Sequence, residues 1–169
     1  GTRIGKEMQH ASWLEHEFQT LELLAETGAD VPRPLVRGEN TILMEYLGDE
    51  QIAAPSLQEV SLPPAEARAL YERIMDNIRA MLKAHRVHGD LSAYNVLYWD
   101  GQISIIDFPQ AVDPRGNREA YDIFARDVER ICQYFEVYGI RANPQAQARR
   151  LWDEYRRAVE IPYEREAED

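Results

Sequence analysis

One stretch limits the folds open to this chain more than any other. It runs His88-Gly89-Asp90-Leu91-Ser92-Ala93-Tyr94-Asn95-Val96-Leu97-Tyr98, then Trp99-Asp100-Gly101-Gln102, then Ile103-Ser104-Ile105-Ile106-Asp107-Phe108. An Asp-Gly pair between two apolar runs reads as a tight hairpin, with a polar loop before its first strand and a carboxylate closing its second. Two aspartates and one asparagine are thereby held at the mouth of one small hairpin. Mg²⁺ prefers hard oxygen ligands and takes one or two from the protein, leaving the rest to phosphate and water. Phosphoryl transfer asks for the same set: metal ligands to neutralise phosphate oxygens and a carboxylate to orient the acceptor. Asp90, Asn95 and Asp107 meet that need, and the apolar strands around them supply rigidity.

The flanking segments predict a mostly helical chain. Apolar spacing at Leu14, Phe18, Leu21 and Ala25 predicts a helix over 11–27, stopped by Gly28, while residues 1–8 lack pattern. Val31-Pro32-Arg33-Pro34 forbids helix and leads into two short strands over 35–37 and 41–46, with 48–55 a connecting loop. Pro63 and Pro64 fit the first turn of a long helix ending near His85, with Leu70, Ile74, Ile78, Met81 and Leu82 as its core stripe. A loop over 108–118 precedes a helix over 119–138 carrying Phe124, Val128, Ile131, Cys132 and Phe135, and Asn143-Pro144 opens a last helix. The expected class is α+β. One helix and two strands stand at the front, and a helical body carries a small hairpin.

Composition narrows the function classes. A chain of 169 residues with 44% hydrophobic residues can bury a core. A net charge of -11 gives no nucleic-acid footprint, which needs a basic face. The single Cys132 allows no disulfide framework and points to a reducing compartment. No apolar run approaches the ~18 residues of a membrane span. A soluble, cytoplasmic protein is the expectation.

His-Gly-Asp-(x)4-Asn followed by Ile-Asp-Phe resembles the catalytic and metal-binding loops of the protein-kinase-like superfamily, and further details resemble the RIO kinases within it. Asp107-Phe108-Pro109-Gln110 stands where most kinases have Asp-Phe-Gly, and no long activation segment separates it from the helix bearing Arg126-Asp127-Val128. Met44-Glu45-Tyr46-Leu47-Gly48 with Ala54-Pro55 is similar to the RIO hinge, and Glu15-His16-Glu17-Phe18 ahead of Val31-Pro32-Arg33-Pro34 to its first-lobe helix. The resemblance implies a kinase-like fold: a partial N-lobe over 1–47 with its hinge at 44–47, a C-lobe over 48–161 and an acidic tail over 162–169. It implies a serine/threonine protein kinase or ATPase using ATP and Mg²⁺, with Mn²⁺ as an alternative ion. Asp90 would be the catalytic aspartate and Asn95 and Asp107 the metal ligands, Asp107 also being the phosphate acceptor of an ATPase-like cycle. Glu17 would pair with an ATP-binding lysine. Met44, Glu45, Leu47 and Pro55 would border the adenine, and Asp127 would fix the catalytic-loop backbone. By the same resemblance the protein substrate is linked to maturation of the small ribosomal subunit, although nothing in the sequence identifies it.

The sequence departs from that pattern at its front. A glycine-rich phosphate loop and a lysine-bearing strand do not fit before the Glu17 helix, and Lys6 lies too close to that helix to be the lysine. The chain is therefore expected to be a RIO domain without its first strands, truncated rather than degenerate, and weakly active or inactive as it stands. Two alternatives share the motif. Small-molecule phosphotransferases of the aminoglycoside and choline kinase type insert larger helical substrate subdomains than the about 40 residues between Leu47 and His88 allow. A non-catalytic kinase-like scaffold would account for the absent lysine, though not for the intact Asp90, Asn95 and Asp107.

Overall fold

A computed structural model describes residues 3–159, with side chains from Ser12 onward. The reading of Lys6 and the acidic tail at 162–169 lie outside the described residues and side chains. The described part holds helices α1 (Arg3–Glu26), α2 (Pro64–Lys83), α3 (Ala120–Glu136) and α4 (Pro144–Ala158). It also holds strands β1 (Pro34–Arg37), β2 (Ile42–Met44), β3 (Val96–Trp99) and β4 (Gln102–Ile105), in two separate antiparallel pairs. This is the α+β arrangement of helices with two small hairpins.

The hydrophobic core belongs to the helical body. From α2 come Ile74, Ile78, Met81 and Leu82, from α3 Phe124, Val128, Ile131 and Phe135, and from α4 Leu151 and Tyr155. Leu91, Val96, Ile105 and Phe108 extend it beneath the β3–β4 hairpin, whose register pairs Val96 with Ile105 and Trp99 with Gln102. Asp100 and Gly101 both take positive φ at the hairpin turn, as a two-residue connection of this type requires. The Asn143 side chain caps α4 by accepting the Ala146 N–H at 2.8 Å, and Pro144 occupies the first helical position.

Two elements differ from expectation. Helix α1 begins at Arg3 rather than near Ala11, because good helix formers such as Lys6, Glu7 and Met8 continue it without any apolar period to reveal it. Its buried residues are Thr20, Leu21 and Leu24, while Leu14 and Phe18 stay half-buried, so the helix meets the core through its C-terminal turns. Strand β2 is shorter than 41–46. The β1–β2 register shifts between Pro34 and Val36, and Pro34 has no N–H to extend the ladder. The connecting loop over 48–55 is present as expected and is ordered by its own side chains. Asp49 Oδ1 accepts the Gln51 and Ile52 N–H groups, each at 2.8 Å, and Ser56 with Glu59 opens a 3₁₀ turn over Leu57–Glu59.

The segment after β4 is pinned to the one before Asp90. Val87 and Val112 exchange N–H···O bonds of 3.0 and 2.9 Å. Gly89, at φ +87°, leaves no room for a side chain, since a Cβ there would lie 2.4 Å from the Gln110 carbonyl oxygen.

Candidate active site

The polar loop ahead of β3 is held by its own backbone and by two buried side chains. The Asp90 N–H donates to His88 Nδ1 (3.2 Å), so the ring proton sits on Nε2, where it is donated to the Ile106 carbonyl (3.0 Å). Burial holds the His88 pKa below its ordinary value, keeping the ring neutral, and Phe108 packs against it at a tilt of 45°, with centroids 4.6 Å apart. Asp127, 2% exposed on α3, accepts the N–H groups of Gly89 (2.8 Å) and Leu91 (3.0 Å), on either side of Asp90. Burial pushes the Asp127 carboxyl up to about 6 against the pull of those two bonds and of the Arg126 and Arg130 charges.

Asn95 is fixed the same way. Its Nδ2 donates to the Asp90 carbonyl at 2.9 Å, which settles the amide orientation and turns Oδ1 away as an open acceptor. The Asn95 carbonyl receives the Ile106 N–H at 3.0 Å, coupling this loop to the end of the hairpin one residue before Asp107. Asp107 has φ +70°, a left-handed backbone that a non-glycine residue adopts at a cost and that concentrates at functional sites. Its carboxylate has no hydrogen bond or ion pair among the described residues.

Beside these groups opens a cavity of about 430 Å³. Asn95, Asp107 and Glu17 line it together with Met44, Glu45 and Leu47, and Leu97 and Ile106 contribute apolar surface from the hairpin. Ala53 was not singled out by the sequence; Tyr46 entered only within the hinge run, and Leu97 and Ile106 only as apolar strand residues. Pro55 is not among the lining residues. Its carbonyl receives the Tyr98 N–H at 2.9 Å, and Ala53 and Ala54 stand at the wall instead. Asp90 lies outside the lining too, 51% exposed, with its Oδ1 accepting from Arg130 Nη1 at 2.7 Å.

Glu17 ties α1 to the loop after β4. Its Oε1 accepts the Phe108 N–H at 3.3 Å, and its neighbour His16 Nε2 meets the Ala111 carbonyl at 2.8 Å. Burial pushes the Glu17 carboxyl above its ordinary value; the Phe108 bond opposes this and the Asp107 charge adds to it.

The donors present fit a magnesium nucleotide. The Glu45 N–H is taken by the Arg33 carbonyl and the Leu47 carbonyl by the Ala54 N–H, both at 2.9 Å. The Glu45 carbonyl and the Leu47 N–H are left without backbone partners among the described residues: one acceptor and one donor, two residues apart, as the edge of an adenine needs. The open Oδ1 of Asn95 and the unpaired carboxylate of Asp107 are hard oxygen donors in the same cavity, suited to an ion that draws its other ligands from phosphate and water.

Comparison with known proteins identifies the family. Residues 2–149 match the family described as the RIO domain. The chain is 34% identical over 125 residues to the serine/threonine-protein kinase rio1 of Schizosaccharomyces pombe, covering 73% of this chain and 25% of that protein. It is 30% identical over 132 residues to the RIO-type serine/threonine-protein kinase Rio1 of Thermoplasma acidophilum, covering 78% and 68%. To the protein of the same name from Haloferax volcanii it is 32% identical over 132 residues, covering 78% and 44%. The chain thus spans a quarter of the yeast protein's length and less than half of the Haloferax one's.

Proposed function

The chain belongs to the RIO domain family of serine/threonine kinases, and from that membership we propose that it carries the catalytic core of an ATP-dependent protein kinase or ATPase. The observation that carries the reading is the shared cavity. Asn95, Asp107 and Glu17 line the same space as the Met44–Leu47 segment, whose free carbonyl and N–H match an adenine edge.

Mg²⁺-ATP, when bound, would supply the phosphoryl group and the neutralising charge. The protein's part is positioning, which is most of what such a reaction asks of it. Glu45 and Leu47 bind the base through backbone groups, and Met44, Leu97 and Ile106 exclude water from its faces. Asn95 Oδ1 and the Asp107 carboxylate hold the metal. Asp90 orients the acceptor hydroxyl and takes its proton. His88, neutral and buried, holds the backbone of that loop rather than moving a proton.

The decisive experiment uses labelled ATP on the full-length protein and scores autophosphorylation against free phosphate release. Asp90→Asn should abolish phosphoryl transfer while leaving the far-UV spectrum and cooperative melting intact. Unreduced turnover in that variant would remove Asp90 from the role. A label recovered as acyl phosphate on Asp107 would favour the ATPase cycle, and a label on serine or threonine the kinase.

A further inference from the structure

We propose that Arg130 is a positioning residue for Asp90, so that one face of α3 holds the catalytic loop twice: its backbone through Asp127 and its carboxylate through Arg130. The proposal rests on the phosphoryl-transfer reading above and adds a component to it.

Asp127 and Arg130 are three apart in α3 and therefore neighbours on the helix surface. The Asp127 oxygens take the amides of Gly89 and Leu91, flanking Asp90. Asp90's own backbone is held at both ends, its N–H on His88 Nδ1 and its carbonyl receiving Asn95 Nδ2. What those contacts leave undetermined is the rotation of the Asp90 side chain. The loop from Asp90 to Asn95 contains no basic residue that could set it. Arg130 Nη1 does so from the helix, at 2.7 Å from Oδ1, while Oδ2 has no hydrogen bond among the described residues.

That split of the two oxygens suits the reaction. As the acceptor hydroxyl oxygen bonds to the γ-phosphorus, the bond from that phosphorus to the ADP oxygen breaks. The hydroxyl proton then passes to Oδ2, with Oδ1 anchored throughout. The pair is 40% and 51% exposed, and ion pairs so open to water add little to stability. Its effect falls on orientation, where a misplacement of about 1 Å costs on the order of 10²-fold in rate.

Steady-state assays of the full-length protein with Mg²⁺ and labelled ATP test this. Arg130→Met keeps the aliphatic stem and removes the donor, and Arg130→Lys keeps the charge. Arg130→Met should lower kcat by roughly 10- to 100-fold with KM for ATP within about twofold. Arg130→Lys should recover most of that loss. Both should melt within about 4 °C of the wild type. A wild-type kcat in Arg130→Met would overturn the proposal, as would a loss confined to KM or a failure of both variants to fold. Asp90→Asn separates the two levels. If it is inactive while Arg130→Met is fully active, only the role of Arg130 falls; if it turns over normally, the role of Asp90 falls and that of Arg130 with it; if the wild type itself transfers no label, the proposed function falls.

Discussion

Asp127 shows how a single buried residue is set between two demands. Its bonds to Gly89 and Leu91 need the ionised carboxylate, while burial raises its pKa from 3.8 to about 6. An acid whose pKa is higher folded than unfolded holds protons preferentially in the native state between those values. Its contribution therefore favours folding at low pH and is lost as the pH rises through the window from 3.8 to about 6, by about 3 kcal/mol at 1.36 kcal/mol per unit. Between pH 4 and 7 the unfolding free energy of the wild type, measured in urea, should fall by about that amount relative to Asp127→Asn, and amide exchange at Gly89 and Leu91 should speed up in the variant. Parallel stability profiles would show that Asp127 is not strained in this way. The sequence alone marked Asp90, Asn95 and Asp107 by their spacing around the hairpin, and the structure places Asn95 and Asp107 on one cavity. Arg130 was not legible. An ion pair between residues 40 apart depends on how α3 comes to rest on the loop, and a solvent-facing arginine in a helix leaves the same mark in the sequence.

At the scale of elements, local chemistry explains what could be read. Helices α2, α3 and α4 follow their apolar periods, and α4 also carries a start signal in Asn143-Pro144. Asn143→Ala removes the acceptor for the Ala146 N–H, so it should cost about 1 kcal/mol and lower the melting midpoint by about 2–4 °C. An unchanged midpoint by scanning calorimetry would show that water replaces the cap without loss. The first two turns of α1 were illegible because a helix without an apolar stripe leaves no periodic signal. The turns over 48–59 were illegible for a different reason. Their order comes from Asp49 and Glu59 side chains bonding nearby backbone, and Asp and Glu in a polar stretch are too common to announce it.

Across the whole molecule, Asp30 joins the connection between α1 and β1 to two elements far apart in sequence, α2 and β4. Its carboxylate takes Arg73 at 2.7 and 2.6 Å and Asn77 Nδ2 at 2.7 Å, while its carbonyl receives the Ile105 N–H of β4 at 2.7 Å. Burial raises its pKa, but the Arg73 and Asn77 bonds outweigh that and hold it below its ordinary value. Asp30→Ala should cost about 1–3 kcal/mol in urea unfolding, because it leaves one Nδ2 hydrogen of the buried Asn77 unpaired, the other staying on the Arg73 carbonyl. Arg73→Met, losing only a half-exposed partner, should cost less than about 1 kcal/mol. Equal costs would show that the ion pair, not the amide, carries the junction. A further consequence lies in the strip from Asp107 to Val112. Phe108 is buried against His88, Gln110 presses on Gly89, and Val112 is paired with Val87. A signalling enzyme that keeps its idle state in a swinging segment needs that segment loose, and here it is stitched down at three successive points. Among the described residues the strip after Asp107 is anchored rather than free, so a change of state there would have to break three separate contacts at once.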